Sequence, residues 1–246
     1  MDIVYLWNHY KDGTELRYSL RALEKNGQNV SRVWLLGRKP DWASDEITEI
    51  GYDSNKNLHK ENDITAAIFR AAEVPELGNR FLICADDYYY IRPTDFDRYP
   101  IYLKNRELPE AVTNNPKFGG NLYQIAAVNT RAILMAAGLP YANYSEHACF
   151  PADKKLMHEF AHLYKAAFLL ERGILFDSAM ANIIVDKTGE KPVPRKDNKI
   201  LTAANYNDLL RQIGDTECFS TEEKFWNLGG REILTALFPD KSIFEK

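Results

Sequence analysis

Cysteine is scarce and scattered in this chain. Three occur, Cys84, Cys149 and Cys218, far apart and with no CxxC pair. That pattern suggests neither a zinc ribbon nor a disulfide framework, and reduced thiols in a cytosol fit it best. Long apolar runs are missing too: no stretch approaches the roughly 20 apolar residues of a membrane-spanning helix. The opening MDIVYLWNHYKDG holds a short apolar run with no basic leader, which does not match a signal peptide. The expected location is therefore cytoplasmic, with no membrane span. Positive charge is not in excess. The net charge of -4 writes no strongly basic nucleic-acid face into the totals, although a local basic patch is compatible with it. Low-complexity tracts and internal repeats are absent. What remains, 45% apolar and 27% charged residues over 246 positions, describes an ordinary globular chain of one large domain or two small ones.

Within that chain the most informative stretch is Arg80 to Pro93, RFLICADDYYYIRP. An apolar run, Phe81 to Ala85, ends in two adjacent carboxylates, Asp86 and Asp87, and aromatics follow at once. A buried strand delivering paired acids at its C-terminal end is suited to holding Mn²⁺ or Mg²⁺ against a diphosphate. Hard cations take oxygen ligands, usually one or two carboxylates plus the substrate's phosphates. Open α/β sheets bind ligands outside the carboxyl ends of their strands. The plain alternative is an exposed turn, where Asp is always acceptable.

The first 90 residues alternate in type. Ile3 to Trp7 reads as a strand, and Asp12-Gly13-Thr14-Glu15 as a capping box opening a helix with Leu16, Leu20 and Leu23 on one face. Val30 to Leu36 is a second strand. A further helix, capped by Asn62 or Asp63, carries Ile64, Ala67, Ile68 and Ala71, and the strand ending at Asp86 follows. This order predicts an α/β fold with a mainly parallel, Rossmann-like sheet flanked by helices. Beyond it, Asn114-Asn115-Pro116 and Gly119-Gly120 mark turns, and Leu122 to Val128 reads as one more strand. Helices are expected at about 130–137, 153–172, 178–186, 204–213 and 221–237, the last with a break at Gly229-Gly230. The chain thus divides into an α/β nucleotide-binding region, 1–129, and a helical acceptor-side region, 130–246, packed as one compact domain.

Several residues are candidates for chemistry. Arg17 and Arg21, spaced i, i+4 on the first helix, share a face, and with Lys60 they are candidate phosphate contacts. Solvated helix surface is the alternative for each. Trp7 and the neighbouring Asn8 lie where a base or sugar would sit, although aromatics at strand ends more often pack the core. His147 lies in a loop and suits a third metal ligand, a phosphate donor or a general acid/base. Asp177 either caps a helix or, if the fold brings it over Asp86-Asp87, assists catalysis. His158-Glu159-Phe160-Ala161-His162 spells HExxH, the spacing of a zinc hydrolase. Phased at about 100° per residue, however, Leu156, Phe160, Leu163, Ala167 and Leu170 form the core stripe and both histidines face away from it.

Ile3-Val4-Tyr5-Leu6-Trp7, Glu15 to Arg21 (ELRYSLR), Val33-Trp34-Leu35-Leu36 and Pro40-Asp41-Trp42 together resemble the opening of the Stealth family of sugar-phosphate transferases. The family's Asn-Asp-Asp matches Ala85-Asp86-Asp87. Its His-containing block is similar to Glu146-His147 with Pro151 and Lys154-Lys155. The tail from Phe219 to Glu245 also looks like short bacterial and phage-encoded glycosyltransferases of this general type. The resemblance implies a GT-A-like fold, a nucleotide-sugar donor, foremost a UDP-sugar, and a hydroxyl acceptor. It implies metal-bound Asp86 and Asp87, with His147 or Asp177 acting on the acceptor. Ala85 departs from the usual Asn, and the chain is shorter than many members. Other readings are a phage enzyme glycosylating modified DNA, a zinc hydrolase on His158, Glu159 and His162, and a non-catalytic nucleotide- or carbohydrate-binding module.

Overall fold

The computed structural model describes residues 1–7, 12–105, 107–113, 121–145, 147–194 and 203–246. From the N-terminus, β1 (Asp2–Leu6) leads to α1 (Thr14–Asn26), a two-residue β2 (Gly27–Gln28), β3 (Arg32–Leu36) and β4 (Ile47–Ile50). Helix α2 (Lys60–Ala72) then leads to β5 (Arg80–Ala85). Short strands β6 (Tyr89–Tyr90), β7 (Thr94–Asp95) and β8 (Tyr102–Leu103) precede α3 (Asn121–Ala136) and β9 (Phe150–Asp153). Helices α4 (Lys154–Glu159), α5 (Ala161–Ala167) and α6 (Phe176–Thr188), strand β10 (Val193–Pro194) and α7 (Tyr206–Gly214) follow, then β11 (Cys218–Phe219), α8 (Glu223–Asn227) and α9 (Gly230–Leu237).

The central sheet has the order β4-β3-β1-β5-β9, parallel except for the antiparallel edge strand β9. Alternation along the strands explains its two covered faces. Ile3, Tyr5 and Trp7 pack with Leu16, Leu20 and Leu23 of α1, whereas Val4, Phe81 and Ile83 pack with Ala67, Ile68 and Ala71 of α2. Successive strand residues point to opposite faces, so helices on both sides bury all of them. The chain runs outward from β1 through β3 to β4, then returns across α2 to β5 on the other side of β1. The order reverses between β1 and β5, and at such a switch point the strand ends splay to leave a crevice. Leu6 pairs with Ala85 there, so Trp7 and Asp86 flank that crevice.

Local departures have physical causes. Asp12 does not act as the N-cap. Gly13 occupies that place at φ 78°, while Asp12 accepts hydrogen bonds from the Thr14 backbone N–H and hydroxyl, each at 2.9 Å. The left-handed φ suits glycine, and a Cβ there would stand 2.8 Å from Trp42 Nε1. Helix α2 begins at Lys60, earlier than a cap at Asn62 or Asp63 allows, and Asp63 instead accepts from Tyr52, Ser54 and Asn55. Residues 122–128 are helix, not strand. Ala126, Thr130 and Leu134 are buried at a four-residue spacing, and so short an apolar run is ambiguous between the two periods. The expected regional boundary at 129/130 falls inside α3. Nor is the second half wholly helical, since β9 completes the central sheet. Its Pro151 argues against a strand, yet β9 is an edge, where a missing N–H is tolerated.

Strand β9 also corrects the reading of the cysteines. The antiparallel register pairs Ile83 with Phe150, and one step further Cys84 meets Cys149 in a disulfide with Cα atoms 4.5 Å apart. That separation is typical of a non-hydrogen-bonded cross-strand pair. Sequence spacing, 65 residues, hid the pair. Cys218 is buried and takes no part in the bridge. The bridge removes the cysteine argument for a cytosolic location. Closing a 65-residue loop corresponds to about 4 kcal/mol on chain-entropy grounds. A Cys149→Ser protein is expected to melt several degrees lower in oxidising buffer, and to match wild type once both are reduced; equal Tm values in oxidising buffer would dismiss the bridge. Among the described residues, no helix is long and apolar enough to cross a membrane.

Candidate active site

The two acids are fixed from both sides. Below them, β5 sits in the middle of the sheet. Above them, Tyr88 to Tyr90 are tied to α1 and to the C-terminal segment. Ser19 donates its hydroxyl to the Tyr88 carbonyl at 2.5 Å, and Asn26 Nδ2 donates to the Tyr90 carbonyl at 2.6 Å. Strand β6 pairs antiparallel with β11, Tyr89 opposite Phe219. Asp86 is buried at 8% exposure and Asp87 is half-buried, accepting the Thr221 backbone N–H at 3.3 Å.

The same end of the sheet receives His147 and Asp177. The β5–β9 register and the Cys84–Cys149 disulfide bring the chain just before β9, with His147 two residues from Cys149, to the end of β5 that carries Asp86. Asp177 opens α6, where its Oδ1 accepts the Ser178 backbone N–H at 2.6 Å. Burial pushes its carboxyl above the ordinary range, opposed by hydrogen bonds from Ser145 and Ser178 and by the charge of Lys104. Tyr88 links the two groups of acids. Its phenol is raised first by burial and then by the charges of Asp87 and Asp177, so both carboxylates lie within electrostatic reach of one ring. Asp87 and Asp177 are thus neighbours of one ring, next to Asp86 at the end of β5.

The basic candidates fare differently. Lys60 is exposed at the N-terminus of α2, which faces the same sheet end. Arg17 stacks over Trp42 at 4.7 Å and lies 3.5 Å from Glu245. Arg21 is engaged elsewhere. Its Nε and Nη2 donate to the Glu245 carboxylate at 2.6 and 2.9 Å, and its Nη1 donates to the Phe238 carbonyl at 3.1 Å. A guanidinium so occupied holds the C-terminal tail, and the expected phosphate contact gives way to that pairing. Trp7 is a core residue. It is 8% exposed, packed on the α1 side, and Gly37 at φ 136° lets β3 close over it. Little of its ring is left for a base to stack on. Asn8 and Glu146 lie outside the described residues.

The HExxH segment is not one helix. α4 ends at Glu159, Phe160 breaks the path, and α5 starts at Ala161. His158 and His162 are both exposed, on opposite sides of the break. A zincin needs both histidines on one continuous helix, so this arrangement does not support the hydrolase reading.

Other residues at the site carry no clear mark in the sequence. Glu15, which local spacing assigns to a capping box, accepts from Trp226 Nε1 at 3.3 Å and from Thr221 Oγ1 at 3.5 Å. Thr221 thereby joins the start of α1 to Asp87. Ser178 and Asn182 are wholly buried polar residues spaced i, i+4 on a helix that otherwise buries Phe176, Ala179, Met180, Ile183 and Ile184. Polar residues at that spacing within an apolar face are the available signal.

Asp86 and Asp87 suit a hard divalent cation. Both are carboxylates at a strand's C-terminal end, and the strongly buried Asp86 gains from an opposite charge. Among the described residues no group of three or more His, Cys, Asp or Glu could by itself enclose a metal ion, so substrate oxygens would complete the shell.

No family model matches the chain, and no curated protein matches it. Among solved structures the chain is similar to the galactosyltransferase LgtC, crystallised with donor and acceptor sugar analogs. The TM-score is 0.51 at 14% identity, covering 98% of this chain and 96% of that one. An active-site mutant of LgtC superposes with a TM-score of 0.48 at 15% identity, over 96% and 95% of the two chains. At such identity the likeness is one of fold: a mainly parallel α/β sheet flanked by helices, as the order of elements predicted.

Proposed function

We propose that the protein is a metal-dependent transferase that moves a sugar from a nucleotide sugar, foremost a UDP-sugar, to a hydroxyl acceptor. The observation that supports this reading is the Asp86-Asp87 pair at the C-terminal end of β5, with the half-buried Asp177 sharing the Tyr88 ring with Asp87. Asp86 and Asp87 would hold Mn²⁺ or Mg²⁺, whose chemistry is to stabilise charge developing on the departing phosphate. Lys60, with Arg17 at the site's rim, offsets the donor's remaining charge. Asp177, whose carboxyl is raised above the ordinary range by burial, is the general base. It accepts the acceptor hydroxyl's proton, and His147 orients the reacting groups beside Asp86.

The Stealth resemblance supports a second outcome at the same site, transfer of sugar 1-phosphate. The two differ in what leaves: a nucleoside diphosphate in glycosyl transfer, a nucleoside monophosphate in phosphosugar transfer. Incubation with Mn²⁺ or Mg²⁺ and a panel of UDP-, GDP-, CMP- and dTDP-sugars is expected to release nucleotide from one donor. EDTA should stop the release, and the product's phosphate count identifies the reaction. Silence from every donor, with no thermal shift from any of them, would turn the reading towards a binding module.

A further inference from the structure

We infer that Ser178 and Asn182 are positioning residues, which hold the 142–145 segment against α6 so that His147 and Asp177 meet the acids of β5. The inference rests on the acid–base reading above and extends it to residues that touch neither substrate nor metal.

The contacts form a closed set. Asn182 Oδ1 accepts the Ala142 backbone N–H at 3.0 Å, and its Nδ2 donates to the Ala142 carbonyl at 2.8 Å. One side-chain amide thus satisfies both backbone groups of one residue, as a neighbouring strand would. The second hydrogen on Nδ2 goes to the Ser178 carbonyl at 2.8 Å. Ser178 Oγ accepts the Tyr144 backbone N–H at 3.0 Å. The far side of the segment is held as well. Asn105 and Asn143 exchange backbone hydrogen bonds at 3.2 and 3.0 Å, and Lys104 Nζ donates to the Ser145 carbonyl at 3.0 Å. Ser145 then hydrogen-bonds the Asp177 carboxylate. Two residues past His147, the disulfide ties Cys149 to Cys84. Ser145 and Cys149, two residues to either side of His147, are thus both held.

Ser178 and Asn182 are both 0% exposed on an otherwise apolar helix face, and their polar groups are compensated by the Ala142 and Tyr144 backbone. What the polar pair adds is a fixed path for residues 142–145. Geometry of this kind is catalytically sensitive, since a misplacement of about 1 Å can lower turnover about 10²-fold.

The test compares full-length Ser178→Ala and Asn182→Ala with Arg32→Ala. Arg32 pairs with Asp2 at the opposite, N-terminal end of the sheet, so its loss destabilises without touching the site. Asn182→Asp, which keeps the acceptor for the Ala142 N–H, replaces Asn182→Ala if that protein fails to fold. Mn²⁺-dependent nucleotide release from UDP-galactose and UDP-glucose is followed across pH. The α6 variants should lose about 10- to 100-fold in kcat with donor KM within about two-fold, and their pH profile should be displaced. Arg32→Ala should keep both kcat and profile. Hydrogen exchange of the 142–148 peptide, read without substrate, should accelerate in the α6 variants only. Normal turnover and exchange in the α6 variants, alongside inactive His147→Gln and Asp177→Asn proteins, would overturn this inference alone. Full turnover by His147→Gln and Asp177→Asn would overturn the acid–base reading and this inference with it.

Discussion

Asp86→Ala and Asp87→Ala proteins are expected to fold and to lose turnover by about 10³-fold or more, each on its own. Burial is the first reason. Asp86 is 8% exposed, yet it stands where a buried strand meets the crevice. A carboxylate in that position is costly unless it is partnered, and a divalent cation is a strong partner for it. Asp87 has a backbone partner in the C-terminal segment. It accepts the Thr221 N–H at 3.3 Å, so alanine there leaves that donor without this partner and should lower Tm slightly. Donor turnover and calorimetry on the same samples read both quantities. A folded double variant that keeps metal-dependent release would falsify the metal role of the pair.

Arg21→Ala should lose about 3–5 kcal/mol of stability, the largest effect expected away from the crevice. Glu245 is the reason. Its side chain is 2% exposed and receives Arg21 in a two-point contact, with Ser242 N–H donating to the same carboxylate at 3.1 Å. Removing the guanidinium leaves that buried charge with Arg17, at 3.5 Å, and Ser242. The tail it fixes also closes on the loop after β3, through Ser44 N–H to the Phe244 carbonyl and Lys246 N–H to the Trp42 carbonyl. The effect should be strongly coupled. Arg21→Ala combined with Glu245→Ala should cost less than the sum of the two, because neither charge is then left alone.

The same pair sets a pH dependence. Burial alone would raise the Glu245 carboxyl, but hydrogen bonds from Arg21 and Ser242 and the nearby arginine charges outweigh it, and the group is held below the ordinary glutamate range. A carboxyl depressed on folding contributes stability above its unfolded pKa of about 4.3, and that contribution is lost as pH falls through the folded value. Urea unfolding at neutral pH and on the acid side of pH 4 should show this loss in wild type and not in Arg21→Ala. A variant within about 1 kcal/mol of wild type at neutral pH would show that the pair contributes little.

Much of the first half of the fold is legible residue by residue. The apolar runs Ile3 to Trp7 and Phe81 to Ala85, and the spacing of Leu16, Leu20 and Leu23, are local signals, and each gives the correct element. Asp86-Asp87 is legible for the same reason, as a polar stop after an apolar run. Helices 206–214 and 223–237, with the interruption at Gly229, follow from spacing and a glycine at φ 87°. Arg21 departs from expectation because a basic residue on a helix face looks the same whether it awaits a phosphate or meets a carboxylate 224 positions away. Trp7 departs in a similar way, since exposure at a strand end depends on what closes over it.

Periodicity and turn chemistry thus carry the order of strands and helices, their covered faces, and the pair of acids at the end of β5. These depend on neighbours within a few residues, which the chain order already supplies. Strand adjacency carries the rest. The reversal between β1 and β5 makes the crevice. Edge strand β9 brings Cys149 to Cys84. Helix α6 clamps the loop before it, and Glu245 returns to Arg21. Each of these is a pairing across tens to hundreds of residues, and its energy exists only once sheet order and register are set. Local propensity does not encode such a pairing, because the same side chains in another register would face other partners.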